Sequence, residues 1–149
     1  MYSRILVPID GSPTSQRGLT EALALAKRLD AAVVLLHVVD AYPMMIEMAT
    51  STTWDRISEG LRQMGRTTLE AAHAAAAKQG VPCESVLEDV AAARVADVIV
   101  EQAKSRRCEL IVMGTHGRRG AGRALLGSDA ELVLRLSPVP VLLVRAPQG

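Results

Sequence analysis

Five short apolar runs alternate with longer segments whose apolar residues recur at helical spacing, and this alternation constrains the fold more than any other feature. The runs lie at residues 4–9, 32–39, 109–114 and 139–144, and a weaker one, CESVL, lies at residues 83–87. Runs that are apolar at consecutive positions suit strands buried on both faces of a parallel sheet. Because right-handed crossovers place the connecting helices on both faces of such a sheet, the sequence predicts a doubly wound α/β fold.

The segments between the runs carry helix signals at defined positions. Ser12 can cap the first helix, and Pro13 fits its first turn, where a missing N–H costs nothing. A long second helix begins near residue 51 or 52 and ends before Gly80 and Pro82. Its predicted buried stripe consists of Ile57, Leu61, Met64, Thr68, Ala71 and Ala75. The full order is β-α-β-α-β-α-β-α-β, and we expect a single domain over residues 1–149.

The composition argues against several functional classes. Aromatic residues make up 2% of the chain and Phe is absent, so few side chains can stack on the bases of single-stranded nucleic acid. A formal net charge of +1 gives no general attraction to nucleic acid or to an anionic membrane. No apolar run approaches the roughly 20 residues that span a bilayer, and residues 1–12 lack the form of a signal peptide. We therefore expect a cytoplasmic protein with neither a nucleic-acid nor a membrane partner.

A glycine-rich loop joins the fourth predicted strand to the last predicted helix and carries the strongest functional signal. Its glycines are Gly114, Gly117, Gly120, Gly122 and Gly127, and its cations are Arg118, Arg119 and Arg123. Glycines at the carboxyl end of a strand let a phosphate approach main-chain N–H groups. The helix that Ser128 opens directs its N–H groups and positive dipole end toward the same space, and arginines suit polyphosphate. The loop therefore predicts an anionic ligand.

The loop differs from the two commonest nucleotide-binding motifs. It contains no Gly-Lys-Ser/Thr, so it is not a Walker A motif, and it follows a late strand without the dinucleotide glycine spacing. Its own spacing, Gly114-x2-Gly117-x9-Gly127-Ser128, resembles the ATP-binding branch of the universal stress protein family. The resemblance covers nearly the whole chain, through the segments ILVPIDGS, LLHVVD, LIVMGTHG and PVPVLLV.

This resemblance implies a particular sheet and a particular site. The family has a five-stranded sheet in the order 3-2-1-4-5, with the ligand at the switch point between strands 1 and 4. By analogy Pro8, Ile9 and Asp10 border the ribose and adenine, and main-chain groups of Val38 contact the adenine edge. The other implied nucleotide-binding residues are Met113, Gly114, His116, Gly117, Arg118, Arg119, Gly127, Ser128 and Asp129. The implied cofactor is ATP, AMP or ADP, with Mg²⁺ or Mn²⁺ as a candidate companion ion.

The implied strand order also bears on the cysteines and on self-association. Cys83 would begin strand three and Cys108 strand four, roughly 14 Å apart and beyond disulfide reach. The last run, residues 139–144, would form an outer edge of the sheet, and an exposed apolar edge invites strand pairing. Family members commonly dimerise through this strand, so the resemblance implies a homodimer.

Several candidate residues have a structural role as the alternative to binding. Ser128 can open a capping box with Glu131 as well as contact phosphate. Asp129 suits the first turn of a helix, but it repels a triphosphate unless a divalent cation intervenes. Asp10 fits either a ribose contact or an Asp-Gly-Ser turn, and His116 is typical of a turn-stabilising residue.

Three further features have alternatives of the same kind. His37 lies within an apolar run and is predicted to be a buried core histidine. The three loop arginines also fit a solvated charge run. The segment with Met44, Met45, Ile46 and Met48 either covers the adenine, contacts a partner, or packs on the long helix.

Three functions remain open at this point. The first is a nucleotide-binding stress or signalling protein, in which bound ATP or AMP biases a conformation or a partner contact. The second is a dimeric interaction protein that binds no nucleotide. The third is an enzyme, a nucleotidyl transferase or an efficient ATPase, which is disfavoured because the loop has no activating Lys and no clear water-orienting acid. Slow hydrolysis of a Mg²⁺-bound triphosphate, as a slow ATPase, is left open as a side activity. No catalytic residue is assigned.

The glycine set favours the first function. We expect that core packing gives no reason to keep Gly114, Gly117, Gly127 and Ser128 together. We also expect Gly127→Val to abolish binding and retain the fold, because its Cβ would point toward the phosphate.

Overall fold

The predicted alternation of strands and helices is present in the computed structural model, which describes residues 1–41, 51–90, 93–116 and 126–146. The strands are β1 Arg4–Pro8, β2 Ala32–Val39, β3 Cys83–Asp89, β4 Leu110–Gly114 and β5 Val141–Val144. The helices of the described ranges are α1 Pro13–Leu29, α2 Ser51–Gln79, α3 Val95–Ser105 and α4 Ser128–Leu136. The methionine-rich segment around residues 44–48 lies outside the described residues.

The five strands form one parallel sheet in the order β3-β2-β1-β4-β5, as predicted. The central strand β1 has two neighbours, because Ile5 is aligned with Val33 of β2 and with Leu110 of β4. The chain therefore turns one way from β1 to β2 and β3, and the other way to β4 and β5. This reversal opens a crevice at the carboxyl ends of β1 and β4.

Alternate residues of the strands feed two separate hydrophobic layers. On one face Ile5, Val7 and Leu35 pack with apolar residues of α1 and α2. On the other face Leu6 and Val34 pack with apolar residues of α3 and α4. Because side chains of a strand point alternately to its two faces, consecutive apolar residues fill both layers at once. The unbroken apolar runs thus account for helices on both sides of the sheet.

Helix α1 forms as its sequence predicts. The Ser12 hydroxyl accepts a hydrogen bond from the Ser15 N–H at 3.2 Å, which satisfies one of the helix's first N–H groups, and Pro13 occupies the first turn. Leu19, Ala22, Leu23 and Ala26 are buried on one side.

The buried stripe predicted for α2 was partly wrong. Met64 is 50% exposed and Ala71 is also exposed, whereas the buried positions are Ser58, Gly65, Leu69, Ala72 and Ala76. The side of the helix that faces the sheet carries Gly65, which has no side chain and lies against His37 of β2 and Leu87 of β3. A prediction that ranks residues by hydrophobicity selects Met64 over Gly65 and so misses this arrangement.

Two further predictions have clear outcomes. Cys83 and Cys108 are both free, in agreement with the spacing inferred for them. Among the described residues, no helix combines the length and the apolar character that crossing a membrane requires.

Candidate functional site

A cleft of about 770 Å³ lies where the strand order reverses, at the carboxyl ends of β1, β2 and β4. Residues from the starts of α3 and α4 close its sides. Ten of the predicted site residues line it, namely Pro8, Ile9, Asp10, Val38, Met113, Gly114, His116, Gly127, Ser128 and Asp129. The other three, Gly117, Arg118 and Arg119, lie outside the described residues, as does Arg123. The structure thus brings together every predicted residue that it describes.

The turn after β1 fixes one rim of the cleft. The Asp10 carboxylate accepts a hydrogen bond from the Ser12 N–H at 2.9 Å, and the Asp10 N–H donates to the Ser15 hydroxyl at 3.1 Å. Gly11 completes the turn at φ 82°, a conformation that favours glycine. The structural alternative for Asp10 is therefore confirmed, and its carboxylate also borders the cleft. Contact with a ribose stays a prediction.

His37 lies beneath the same rim. Its side chain is 5% exposed, which confirms the predicted buried histidine. Its Nδ1 lies 2.9 Å from the carbonyl oxygen of Ile9. A carbonyl only accepts hydrogen bonds, so Nδ1 carries the proton. The sequence did not indicate that this histidine also lines the cleft.

The two described ends of the glycine-rich loop meet beside β4. The Gly127 N–H donates to the Thr115 carbonyl at 2.8 Å, and the Thr115 N–H donates to the Val144 carbonyl at 3.0 Å. Thr115 Oγ1 and His116 Nδ1 lie 3.0 Å apart. The predicted turn role of His116 therefore has a direct partner, and the loop leaves and re-enters the fold at one point on the rim.

The predicted capping box at the start of α4 was wrong. Gly127 is the N-cap, with φ −62° and ψ 148°, and Ser128 is the first helical residue. Glu131 instead forms an ion pair with Arg135 at 3.2 Å. The Gly127 N–H is bonded to the Thr115 carbonyl and Gly127 takes the cap position, so the helix begins one residue earlier than a Ser128 cap requires. Ser128 and Asp129 then lie in the first turn, at the positive end of the helix dipole.

Packing accounts for two of the four residues in the glycine set, Gly114 and Gly127. A Cβ on Gly114 would lie 2.9 Å from the backbone carbonyl oxygen of Thr14, because α1 crosses β4 at this point. A Cβ on Gly127 would lie 3.0 Å from the Thr115 oxygen and 3.4 Å from the His116 Cα. It would therefore crowd the backbone of the rim, and its direction toward a phosphate stays a prediction. Both glycines permit close backbone approach within the fold itself.

Sequence reasoning missed Arg94 at the mouth of the cleft. Arg94 precedes α3, and its guanidinium donates to the two carboxylate oxygens of Asp97 at 2.9 and 3.0 Å. These bonds lower the pKa of Asp97 below its ordinary value. The sequence could have indicated Arg94 only by its position in the chain. It follows the carboxyl end of a parallel strand, where ligands of such folds bind.

The lining combines apolar and polar surfaces. Apolar side chains come from β2, α3 and β4, with Val38, Val95, Ile99 and Met113 among them. Polar groups lie on the turn after β1 and at the start of α4. Among the residues that the structure describes, no three His, Cys, Asp or Glu side chains are grouped closely enough to hold a metal ion.

Comparison with known proteins identifies the family. A sequence model of the universal stress protein family matches residues 1–145. A universal stress protein of Methanocaldococcus jannaschii is 38% identical over 149 residues, and the match covers 99% of this chain and 85% of that protein. The chain belongs to the universal stress protein family.

Solved universal stress proteins share the fold. A family member from Burkholderia pseudomallei is 33% identical, with a TM-score of 0.79 and 95% of each chain covered. A universal stress protein in complex with cAMP is 24% identical, with a TM-score of 0.70 and 98% of each chain covered. A family protein from Arabidopsis thaliana with AMP bound is 17% identical, with a TM-score of 0.71, covering 97% of this chain and 92% of that one.

Proposed function

We propose that this universal stress protein binds an adenine nucleotide in the cleft and acts in stress response or signalling, where the nucleotide biases a conformation or a partner contact. One observation carries the proposal: ten residues selected from the sequence for nucleotide binding line one cleft at the switch point of the sheet. Its volume of about 770 Å³ lies within the range of about 300–1,000 Å³ that is usual for small-molecule sites. Family members with bound cAMP and AMP support the same class of ligand.

The lining suits both parts of an adenine nucleotide. The base fits the apolar surface around Val38 and Met113, where main-chain groups of Val38 would contact its edge. Pro8, Ile9 and Asp10 would border the ribose. The start of α4 offers N–H groups and a positive dipole to phosphate, so Ser128 and the flanking glycines Gly114, Gly117 and Gly127 would hold it. Arg118 and Arg119 would neutralise further phosphates.

Two carboxylates at the rim of the cleft affect how strongly the negatively charged phosphates of a nucleotide bind. Asp129 lies in the first turn of α4, and Asp10 lies across the cleft on the turn after β1. Both would repel a triphosphate that carries no metal. A bound Mg²⁺ or Mn²⁺ would supply positive charge between phosphate and carboxylate oxygens, which are the ligands these ions prefer. We therefore propose that ATP binds together with a divalent cation and that AMP does not need one.

The exposed edge strand β5 is the observation that favours the alternative, a dimeric interaction protein. Strand β5 lies at an edge of the sheet, and Leu142 on it is 42% exposed. Gly114 and Gly127 are explained by close backbone approach within the fold, so these two glycines do not by themselves indicate a nucleotide. We propose a homodimer through β5 in either case, so binding measurements distinguish the two functions.

Isothermal titration of ATP, AMP and cAMP, with and without Mg²⁺, tests the proposal. We expect saturable binding near one nucleotide per chain. Asp129→Asn should strengthen metal-free ATP binding by about fivefold, since an exposed charge pair contributes up to ~1 kcal/mol, and should change AMP binding less. Glu131→Gln is the matched control, because Glu131 also lies in the first turn of α4 and pairs with Arg135. No binding of any adenine nucleotide would leave the dimeric alternative.

A further inference from the structure

The imidazole of His37 connects the cleft to helix α2. Its Nδ1–H donates to the carbonyl of Ile9 at 2.9 Å, and both residues line the cleft. Strand β1 ends at Pro8, so the Ile9 carbonyl lies just beyond the regular strand, where β1 and β4 diverge. The Ile9 N–H is held separately by the Leu36 carbonyl at 2.8 Å. Both polar groups of the Ile9 backbone are thus bound to consecutive residues of β2.

The other side of the ring rests against a glycine of α2. A Cβ on Gly65 would lie 2.6 Å from Cδ2 and 3.0 Å from Nε2 of His37, and 2.7 Å from a methyl carbon of Leu87. The Leu87 methyl is the end of a flexible side chain and can move aside. The ring cannot move as easily, because its opposite edge is bonded to Ile9. The absence of a side chain at Gly65 therefore lets α2 and the Ile9–Asp10 rim hold the same ring.

We propose that His37 is a positioning residue of the nucleotide cleft, which fixes the Ile9–Asp10 rim and links it to the packing of α2. The proposal rests on the proposed nucleotide binding, since it assigns the rim a role in that site. Linkage is reciprocal: if the position of α2 affects nucleotide affinity, bound nucleotide must affect α2 by the same free energy. The proposal therefore identifies α2 as the element whose position changes when a nucleotide occupies the cleft.

Simple core packing does not account for this residue. Burying an imidazole costs free energy unless its polar atoms are hydrogen-bonded, so an apolar side chain would fill the same space without that cost. His37 is held among apolar residues of β2, of which Leu35 and Leu36 are fully buried. One contribution that an apolar side chain cannot make is the donor from Nδ1 to a main-chain carbonyl that borders the cleft.

Two substitutions at position 37 test the donor. In His37→Asn the amide nitrogen occupies nearly the position of Nδ1 and can donate to Ile9, whereas His37→Leu fills the space without a donor. We expect AMP and ATP to bind His37→Asn within about threefold of the parent, and His37→Leu about tenfold or more weakly, as the loss of one buried hydrogen bond allows. Equal binding by His37→Leu would overturn the proposal, and so would equal weakening by both variants.

Two substitutions in α2 test the link to the helix. Gly65→Ala should displace the ring and weaken nucleotide binding by about tenfold, because the His37–Ile9 bond must stretch. Gly60→Ala is the matched control, since a Cβ at Gly60 has no atom within 4 Å among the residues that the structure describes. Urea unfolding of each variant shows that binding is measured on folded protein. Parent-like affinity in a folded Gly65→Ala variant would contradict the link.

Amide hydrogen exchange gives a readout that needs no nucleotide. The N–H groups of Asp10 and Ser12 are bonded within the rim turn, so their exchange reports its order. We expect faster exchange of these amides in His37→Leu and Gly65→Ala, and parent-like exchange in His37→Asn and Gly60→Ala. If the parent protein binds no nucleotide, the proposed function fails, while the exchange pattern still decides whether His37 positions the rim. Unchanged exchange in His37→Leu would refute that positioning.

Discussion

At the scale of single residues, the glycines of this chain have different physical surroundings. Gly11 adopts φ 82° in the turn after β1, a backbone conformation that side chains rarely allow. Gly114 and Gly65 have no such requirement and instead allow another group to approach closely, the backbone of α1 in one case and the His37 ring in the other. A Cβ on Gly60 would meet no atom within 4 Å in the part of the chain that the structure describes. The role of a glycine that belongs to no spaced motif therefore follows only from its neighbours in space.

Replacing Gly114 by Ala should destabilise the protein. The new Cβ would lie 2.8 Å from Thr14 Cγ2 and 2.9 Å from the Thr14 carbonyl carbon, so backbone must shift. We expect a loss of about 1–3 kcal/mol in the free energy of unfolding, as is usual for overpacking, measured by urea unfolding. Gly60→Ala should instead stabilise by about 0.5–1 kcal/mol, because alanine favours the helix and meets no neighbour. A Gly114→Ala variant as stable as the parent would show that Thr14 of α1 does not pack closely against Gly114 of β4.

The candidate site could be predicted where its residues follow strands or form a spaced motif. Pro8, Ile9 and Asp10 follow the first apolar run, and Gly127 and Ser128 belong to the glycine-rich loop. Arg94 could not be found in this way, since it carries no motif. Nor could the role of His37, because that role depends on Gly65, which lies in another element and becomes its neighbour only after folding.

At the scale of elements, the starts of β1 and β4 are joined by a polar clamp. The Ser3 hydroxyl donates to the Glu109 carboxylate at 2.8 Å, and the Ser3 N–H donates to the same oxygen. These two hydrogen bonds, of which the one from the Ser3 N–H has the larger effect, lower the pKa of Glu109 below its ordinary value of 4.5. The clamp lies at the end of the strands opposite to the cleft, so its substitution leaves the proposed site intact.

The clamp should make stability depend on acidity. A carboxyl whose pKa is lower in the folded protein stabilises it above pH 4.5, and this contribution disappears as the pH falls through the folded pKa. We expect Glu109→Gln to flatten the decline of the urea midpoint below that pH, whereas Glu101→Gln, which removes an exposed charge from α3, should not. An NMR titration of Glu109 at or above its ordinary pKa would contradict the clamp.

Elements were predicted more reliably than their orientation. The apolar runs indicated all five strands, because two buried layers require apolar residues at consecutive strand positions. The direction that α2 faces was partly wrong, because its sequence is rich in alanine and offers little hydrophobic contrast between its sides. Close packing through Gly65 and Ala72 decides its orientation, and that packing depends on the shape of the sheet rather than on hydrophobicity.

At the scale of the whole molecule, the edge strand β5 and the neighbouring helix α4 carry exposed apolar side chains. Leu142 is 42% exposed, and Leu134 and Leu136 on the neighbouring α4 are 50% and 44% exposed. An apolar edge strand with main-chain groups along it can pair with a second copy of the chain. This surface and the cleft lie on different parts of the protein, so self-association and ligand binding can be measured independently.

Leu142→Glu should therefore convert a dimer to a monomer, because it places a charge on each side of the paired edge. Sedimentation velocity of the parent and the variant at equal concentration measures this change. Met64→Glu is the matched control, since Met64 is 50% exposed on α2, away from β5. We expect it to remain dimeric, and we expect both variants to keep parent-like AMP binding. A monomeric parent, or a dimeric Leu142→Glu variant, would argue against pairing through β5.

The central position of β1 has a consequence for synthesis. A ribosome delivers the chain from its amino end, yet Ser3 meets its partner Glu109 only 106 residues later. Strand β1 therefore has both of its neighbours only after β4 has been synthesised. The rim of the cleft is complete only after α4 has been synthesised. A ligand of the cleft can stabilise only the finished fold. Chains interrupted before α4 gain nothing from it, so a ligand of the cleft would protect complete molecules and leave incomplete ones to degradation.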